Sequence, residues 1–95
     1  LLPVADVRVL LADQKYVTAL YPGGSLLLDE SLRELELEFE GQFLRVHRKA
    51  LVAIHHISGL SRHAGTERVQ LDGLDLRVQV SRRHLSAVRT VVAGL

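Results

Sequence analysis

Hydrophobic positions along the chain switch between a spacing of two and spacings of three and four, and the switches divide the chain into elements. Val7 to Ala12 (VRVLLA) and Tyr16 to Tyr21 (YVTALY) are short β-branched or aromatic runs bounded by polar residues, and both read as strands. Asp13-Gln14-Lys15 between them has the length of a hairpin connection. Pro22-Gly23-Gly24 is a strong turn signal, after which Ser25 to Leu28 supplies a partner strand for residues 16–21. Ser31-Leu32-Arg33-Glu34 matches a capping box, in which the Ser31 hydroxyl accepts from the Glu34 N–H and the Glu34 carboxylate reaches back to Ser31. Leu32, Leu35 and Phe39 then form one apolar stripe, and Gly41 is a plausible stop. The spacing predicts a helix over 31–40 whose outer face carries Glu36, Glu38 and Glu40.

Phe43 to His47 alternates and reads as a strand, with Phe43, Arg45 and His47 on one face and Leu44 and Val46 on the other. Leu51 to Ile57 fits either state, with a short helical turn slightly favoured. Ser58 to Ser61, Glu67 to Leu71 and Leu76 to Val80 read as three further strands, separated by turns at Gly65 and Asp72-Gly73. Ser81 is placed as the N-cap of a last helix carrying Leu85, Val88 and Val92 at helical spacing. The expected fold class is mainly β with short helices.

Ninety-five residues make one domain, 1–95, and a hydrophobic content of 47% is enough for a core. With two Phe, two Tyr and no Trp, that core must be built from Leu, Val and Ile. The absence of cysteine excludes disulfides and thiolate metal sites. The longest apolar runs fall far short of the ~20 residues that span a bilayer, so no membrane segment is expected. No secretory signal is visible, and a cytoplasmic location is expected. The net charge of +1 conceals an asymmetry: residues 1–42 hold three basic and eight acidic residues, residues 43–95 nine basic and three acidic. That polarity permits a basic surface opposite an acidic one.

Arg45, His47, Arg48 and Lys49 lie within five positions, with Arg48 and Lys49 at the strand end, where they can reach into a groove. An arginine fork can donate to guanine O6 and N7 together, whereas lysine serves phosphate as a point charge. The same segment reads about equally as a solvated strand end that resists edge pairing. Ser81-Arg82-Arg83-His84 puts three basic residues in the first turn of the last helix, where the helix dipole favours anions and a bound phosphate would reverse the penalty. Lys15 at the hairpin tip carries little by itself. His47, His55, His56 and His63 match no common metal-ligand spacing, so no metal or other cofactor is expected. His47 reads as a partly buried, hydrogen-bonded histidine within reach of phosphate. No nucleophile motif or glycine-rich phosphate loop is present, and an enzyme is not expected.

The order of these features is specific. Tyr16-Val17 after a polar hairpin tip, Ser31-Leu32-x-x-Leu35, Phe43-x-Arg45-Val46-His47-Arg48 and Val80-Ser81-Arg82-Arg83 together resemble the LytTR family of DNA-binding domains across essentially the whole chain. The resemblance implies small antiparallel sheets with one mid-chain and one C-terminal helix. It implies sequence-specific binding of double-stranded DNA by basic loops inserted in the major groove, as the C-terminal output domain of a two-component transcriptional regulator. By the same resemblance the partners are duplex DNA, a second protomer on direct-repeat sites, and a sensor kinase acting through a receiver domain. It maps base contacts to Lys15, Arg48 and Arg83. Arg45, His47, Lys49 and Arg82 are the candidates for phosphate contact or for supporting those readers. The chain departs from the family pattern at Lys49, commonly Ser, at Ala50, commonly aromatic, and at Ala53, commonly Asn. The alternative is a protein-interaction module using a β edge or the acidic helix 31–40.

Overall fold

The computed structural model describes residues 2–95. A single turn of 3-10 helix, Val4–Asp6, leads into β1 (Val9–Ala12), β2 (Val17–Tyr21) and β3 (Gly24–Leu28). Helix α1 (Leu32–Glu38) follows, then β4 (Phe43–His47), β5 (Ala50–Ala53) and a 3-10 turn at Ile54–His56. The chain finishes with β6 (Ile57–His63), β7 (Thr66–Leu71), β8 (Arg77–Gln79) and helix α2 (Arg82–Ala93). The strands form two antiparallel sheets, one of five in the order β3-β2-β1-β5-β4 and one of three in the order β6-β7-β8. The mainly β class expected from the sequence is the class observed.

The five-stranded sheet is the middle layer. Leu10, Ala19, Leu51, Ala53 and Phe43 on one face pack with Leu32 and Leu35 of α1 and with Val7. Val9, Val52, Ala50 and Val46 on the other face pack with Val69, Leu71 and Val78 of the second sheet and with Val88 of α2. β1 and β5 therefore sit between two cores.

That position explains the segment the sequence left ambiguous. Residues 51–57 are not mainly a helical turn: the chain is a strand through Ala53 and turns helically only at Ile54–His56. All four residues of β5 are buried, so the strand shows no alternation of apolar and polar residues. A strand covered on both faces reads as a continuous apolar run.

A second correction concerns β4. Arg45 pairs with Leu51 and His47 with Ala50, so Val46 is the extra residue of a β-bulge. Phe43 and Arg45 share the α1 face as expected, but the bulge turns His47 to the opposite face with Val46, beside β8. Around α1, both capping-box bonds are present: Glu34 N–H to Ser31 Oγ at 3.1 Å and Ser31 N–H to Glu34 Oε1 at 3.0 Å.

The two sheets are tied at the end where β1 begins. Arg8 Nη2 donates to Asp72 Oδ1 at 2.8 Å, and His56 bridges Asp72 Oδ1 at 3.1 Å and the Ala5 carbonyl at 2.6 Å. Asp72-Gly73 thus opens a five-residue connection between β7 and β8 rather than a two-residue hairpin turn, with the aspartate serving as the inter-sheet clamp.

Leu51 is fully buried at the centre of the sheet, whereas Leu27 on the edge strand β3 is 62% exposed. Leu51→Ala is expected to lower the urea-unfolding free energy by about 2–5 kcal/mol, as a large-to-small change in a packed core. Leu27→Ala should stay within about 0.5 kcal/mol of wild type. Equal costs at the two positions contradict the two-sided burial of β5.

Candidate nucleic-acid interface

Three basic segments meet at one end of the five-stranded sheet. β1 ends at Ala12, β2 begins at Val17, and the neighbouring β5 begins at Ala50, so the β1–β2 tip and the β4–β5 turn emerge side by side. The Ala12 N–H donates to the Lys49 carbonyl at 2.8 Å and joins the two. The start of α2 is held against the same end of β4, where the Ser81 N–H donates to the Val46 carbonyl at 2.9 Å. Lys15, Arg48 and Arg83, far apart in sequence, are carried on these three adjacent segments.

Each turn is stiffened by a side chain that does not itself project. At the β1–β2 tip, Asp13 Oδ1 accepts from the N–H groups of Lys15 and Tyr16, both at 2.9 Å. Those two backbone donors hold the Asp13 carboxyl below its usual range, and the nearby Lys49 charge adds to the effect. At the β4–β5 turn, Arg45 Nη1 donates to the Arg48 carbonyl at 2.6 Å while Arg45 Nη2 donates to Glu36 Oε1 of α1 at 3.0 Å. The Lys49 N–H donates to His47 Nδ1 at 3.2 Å. With the bond from Ala12, the backbone of the Arg48-Lys49 turn is fixed from three directions.

Arg45 is therefore a brace and not a free cation: its side chain is 18% exposed and engaged at both ends. Its partner Glu36 was expected on the outer face of the helix, and the structure turns it inward. The Arg45 guanidinium, followed by that of Arg33, holds the Glu36 carboxyl below its ordinary value against the opposing effect of partial burial.

The first turn of α2 also differs from expectation. Ser81 occupies the N-cap position, but its hydroxyl makes no cap bond to the helix backbone. It pairs with His84 Nδ1 at 2.7 Å instead. Burial pushes the His84 imidazole below its ordinary value, and the charges of Arg83 and Arg45 push in the same direction. His84 is then neutral at pH 7, so Arg82 and Arg83 are the two cations at the positive end of the helix dipole.

Ion pairing distinguishes the cations on these three segments from most of the other basic residues. Arg8, Arg33, Arg45, Arg62 and Arg89 each have a carboxylate partner. Among the described residues, Lys15, Arg48, Lys49, Arg82 and Arg83 have none, and all five are exposed. Among the described residues no group of three His, Cys, Asp or Glu is arranged to hold a metal. Among the described residues no helix is long and apolar enough to cross a membrane.

Asp13 and Glu36 were not singled out from the sequence. An Asp opening a tight connection is a recognisable signal, since its carboxylate favours bonding to backbone N–H groups two residues on. Glu36 carried a weaker one: it lies four residues after Leu32 and so flanks the buried stripe of the helix.

Comparison with known proteins identifies the family and the fold. The family model for the LytTr DNA-binding domain matches residues 1–93. The chain is 45% identical over 97 residues to the positive alginate biosynthesis regulatory protein of Pseudomonas aeruginosa, an alignment covering 100% of this chain and 39% of that protein. It thus spans well under half the length of that relative. Among solved structures it is similar to the LytTr DNA-binding domain of a Bacillus cereus protein described as a methyl-accepting/DNA response regulator. The TM-score is 0.83 at 26% identity, covering 96% of this chain and 84% of the other.

The Glu36–Arg45 pair makes a prediction about pH. Because the folded-state value of Glu36 is depressed, its contribution is present above the ordinary glutamate value of 4.5 and is lost as pH falls through the folded value. Glu36→Gln is expected to be destabilised by about 1 kcal/mol at pH 7. The gap should narrow on acidification below pH 4.5, read by urea unfolding at a series of pH values. A gap that stays constant with pH shows that the carboxylate charge is not what holds Arg45.

Proposed function

The chain belongs to the LytTR family of DNA-binding domains, and from that premise we propose that it reads a duplex DNA sequence through Lys15, Arg48 and Arg83, carried on three adjoining segments that enter the major groove. The observation that carries this reading is the set of exposed cations without carboxylate partners on turns whose backbones are braced from within. A stiff turn lets an arginine fork reach a base edge without first losing much conformational freedom. The midlines of the two hairpins are two strand spacings apart, about 10 Å, which suits a major groove roughly 12 Å wide.

Lys49 and Arg82 serve as phosphate contacts beside the readers. Arg45 and His47 hold the Arg48-Lys49 turn in shape. The start of α2 offers a further phosphate position, since its first-turn N–H groups lack a side-chain cap and lie at the positive end of the helix. The domain acts by binding rather than by catalysis. We place it as the C-terminal output part of a longer cytoplasmic transcriptional regulator, controlled by a sensor kinase through a receiver domain. Two protomers on a direct repeat are the working unit.

One observation favours an additional protein contact. The edge strand β3 is nearly all exposed and carries Leu26 and Leu27 at 45% and 62% exposure. Such an edge is suited to pairing with another chain, and it lies at the opposite side of the sheet from β4 and α2.

Gel-shift titration of a duplex selected from a random library, against a scrambled duplex of equal length, tests the assignment. Arg48→Ala and Arg83→Ala should each weaken specific binding by about 1–3 kcal/mol and relax sequence choice. Lys49→Ala should weaken both duplexes alike and reduce the salt slope by about 1. Unchanged preference in both arginine variants removes them as readers.

A further inference from the structure

The sequence offered no reason to single out Arg68 or Arg77. Both lie on the outer face of the three-stranded sheet, away from the core built by Val69, Leu71 and Val78. Arg68 pairs across the strands with Gln79, and Gln70 with Arg77, so the two arginines are diagonal neighbours on one face. Among the described residues neither has a carboxylate partner. The one acid in these three strands, Glu67, faces the other way and is held by Arg62 and Arg89. The residues directly opposite the two arginines are the uncharged Gln79 and Gln70, so neither charge is neutralised across the strands.

This face is continuous with the basic end of the molecule. Arg77 and Gln79 border the same cleft as His47 and Lys49. Gln79 also borders a second cleft with Arg82. Arg68 and Arg77 together line a third, mainly polar depression, which Asp75 of the β7–β8 connection also borders; among the described residues it forms no ion pair with either arginine. The strand beyond Arg68 carries Gly59 and Ser61, opposite Gln70 and Arg68. A side chain at Gly59 would meet only Gln70 Oε1, at 3.6 Å, so packing does not demand glycine there. These small residues keep the sheet low beside the arginines.

We infer that the outer face of the β6-β7-β8 sheet is a second phosphate-binding surface, on which Arg68 and Arg77 hold the backbone of duplex DNA flanking the segment read by the turns. The inference rests on the duplex-binding reading above. Diagonal positions on neighbouring strands are about 7–8 Å apart, a separation that suits two guanidiniums holding successive phosphates of one strand. Glutamine at positions 70 and 79 adds neutral donors to the same track. The surface contributes affinity without sequence preference, because phosphates carry no base identity.

The test uses the 95-residue chain, the library-selected duplex trimmed to its preferred bases, and the same duplex extended by one helical turn at each end. Wild type should bind the extended duplex more tightly than the trimmed one. The double variant Arg68→Gln/Arg77→Gln should lose that advantage, with a salt slope shallower by about 1.8 for two lost phosphate contacts, while its sequence preference is unchanged. Ser61→Glu, which supplies Arg68 with a carboxylate across the strand pair, should reproduce part of the loss. Thermal melting that matches wild type confirms that these exposed changes leave the fold intact. Full retention of affinity and salt slope on the extended duplex overturns the inference, as does a changed sequence preference. If Arg48→Ala still relaxes preference in that case, the reading of the turns stands alone; if it does not, both fail.

Discussion

The antiparallel pairing of β1 with β5 is the constraint on which the rest of the structure depends. It joins the N-terminal hairpin to the hairpin that contains Arg48 and places both strands between two cores. Because β1 runs toward its tip as β5 runs away from its own, the two turns must emerge at the same end of the sheet. The Ala12–Lys49 backbone bond is the last rung of that ladder. A one-residue slip would exchange the residues facing α1 for those facing the second sheet, so burial on both sides fixes the register strongly. The relative position of two basic turns is thus determined by apolar packing well behind them.

From that base, the polar interactions have a division of labour. Asp13, Glu36, Arg45 and His47 spend their hydrogen-bonding capacity on backbone or on one another, at the roots of the turns. Lys15, Arg48, Lys49, Arg82 and Arg83 project from those roots without carboxylate partners. Neutral His84 belongs with the supporting group, and its neutrality relieves some of the repulsion that three cations in one helical turn would create. The opposite end of β1 is closed by the Arg8–Asp72–His56 cluster, so charge is compensated there and left open at the turns.

Much of the fold was legible because its signals are local. The capping box at Ser31 and Glu34, the turn glycines and the helical spacing of Leu85, Val88 and Val92 act over a few residues, and each element appears within a residue or two of its expected place. The failures came where tertiary contacts decide. β5 lost its alternation because both its faces are covered. The bulge at Val46 reversed His47, and nothing in a five-residue window announces a bulge. Glu36 looked solvent-facing until Arg45 was brought to it by the β4–α1 packing. For the candidate site, the basic residue types were readable, but which cations are braced or paired and which are free depends on partners distant in sequence, as Arg68 and Arg77 illustrate.

The central claim is that three separate basic segments form one contact surface. Titration of the isotopically labelled chain with a library-selected duplex, followed by amide NMR shifts, addresses it most directly. The account predicts that the amides of Lys15, Arg48, Lys49, Arg82 and Arg83 move together along one binding curve, while those of β3 and the exposed side of α1 remain still. Shifts confined to β3 and α1, or to only one of the three basic segments, would contradict it.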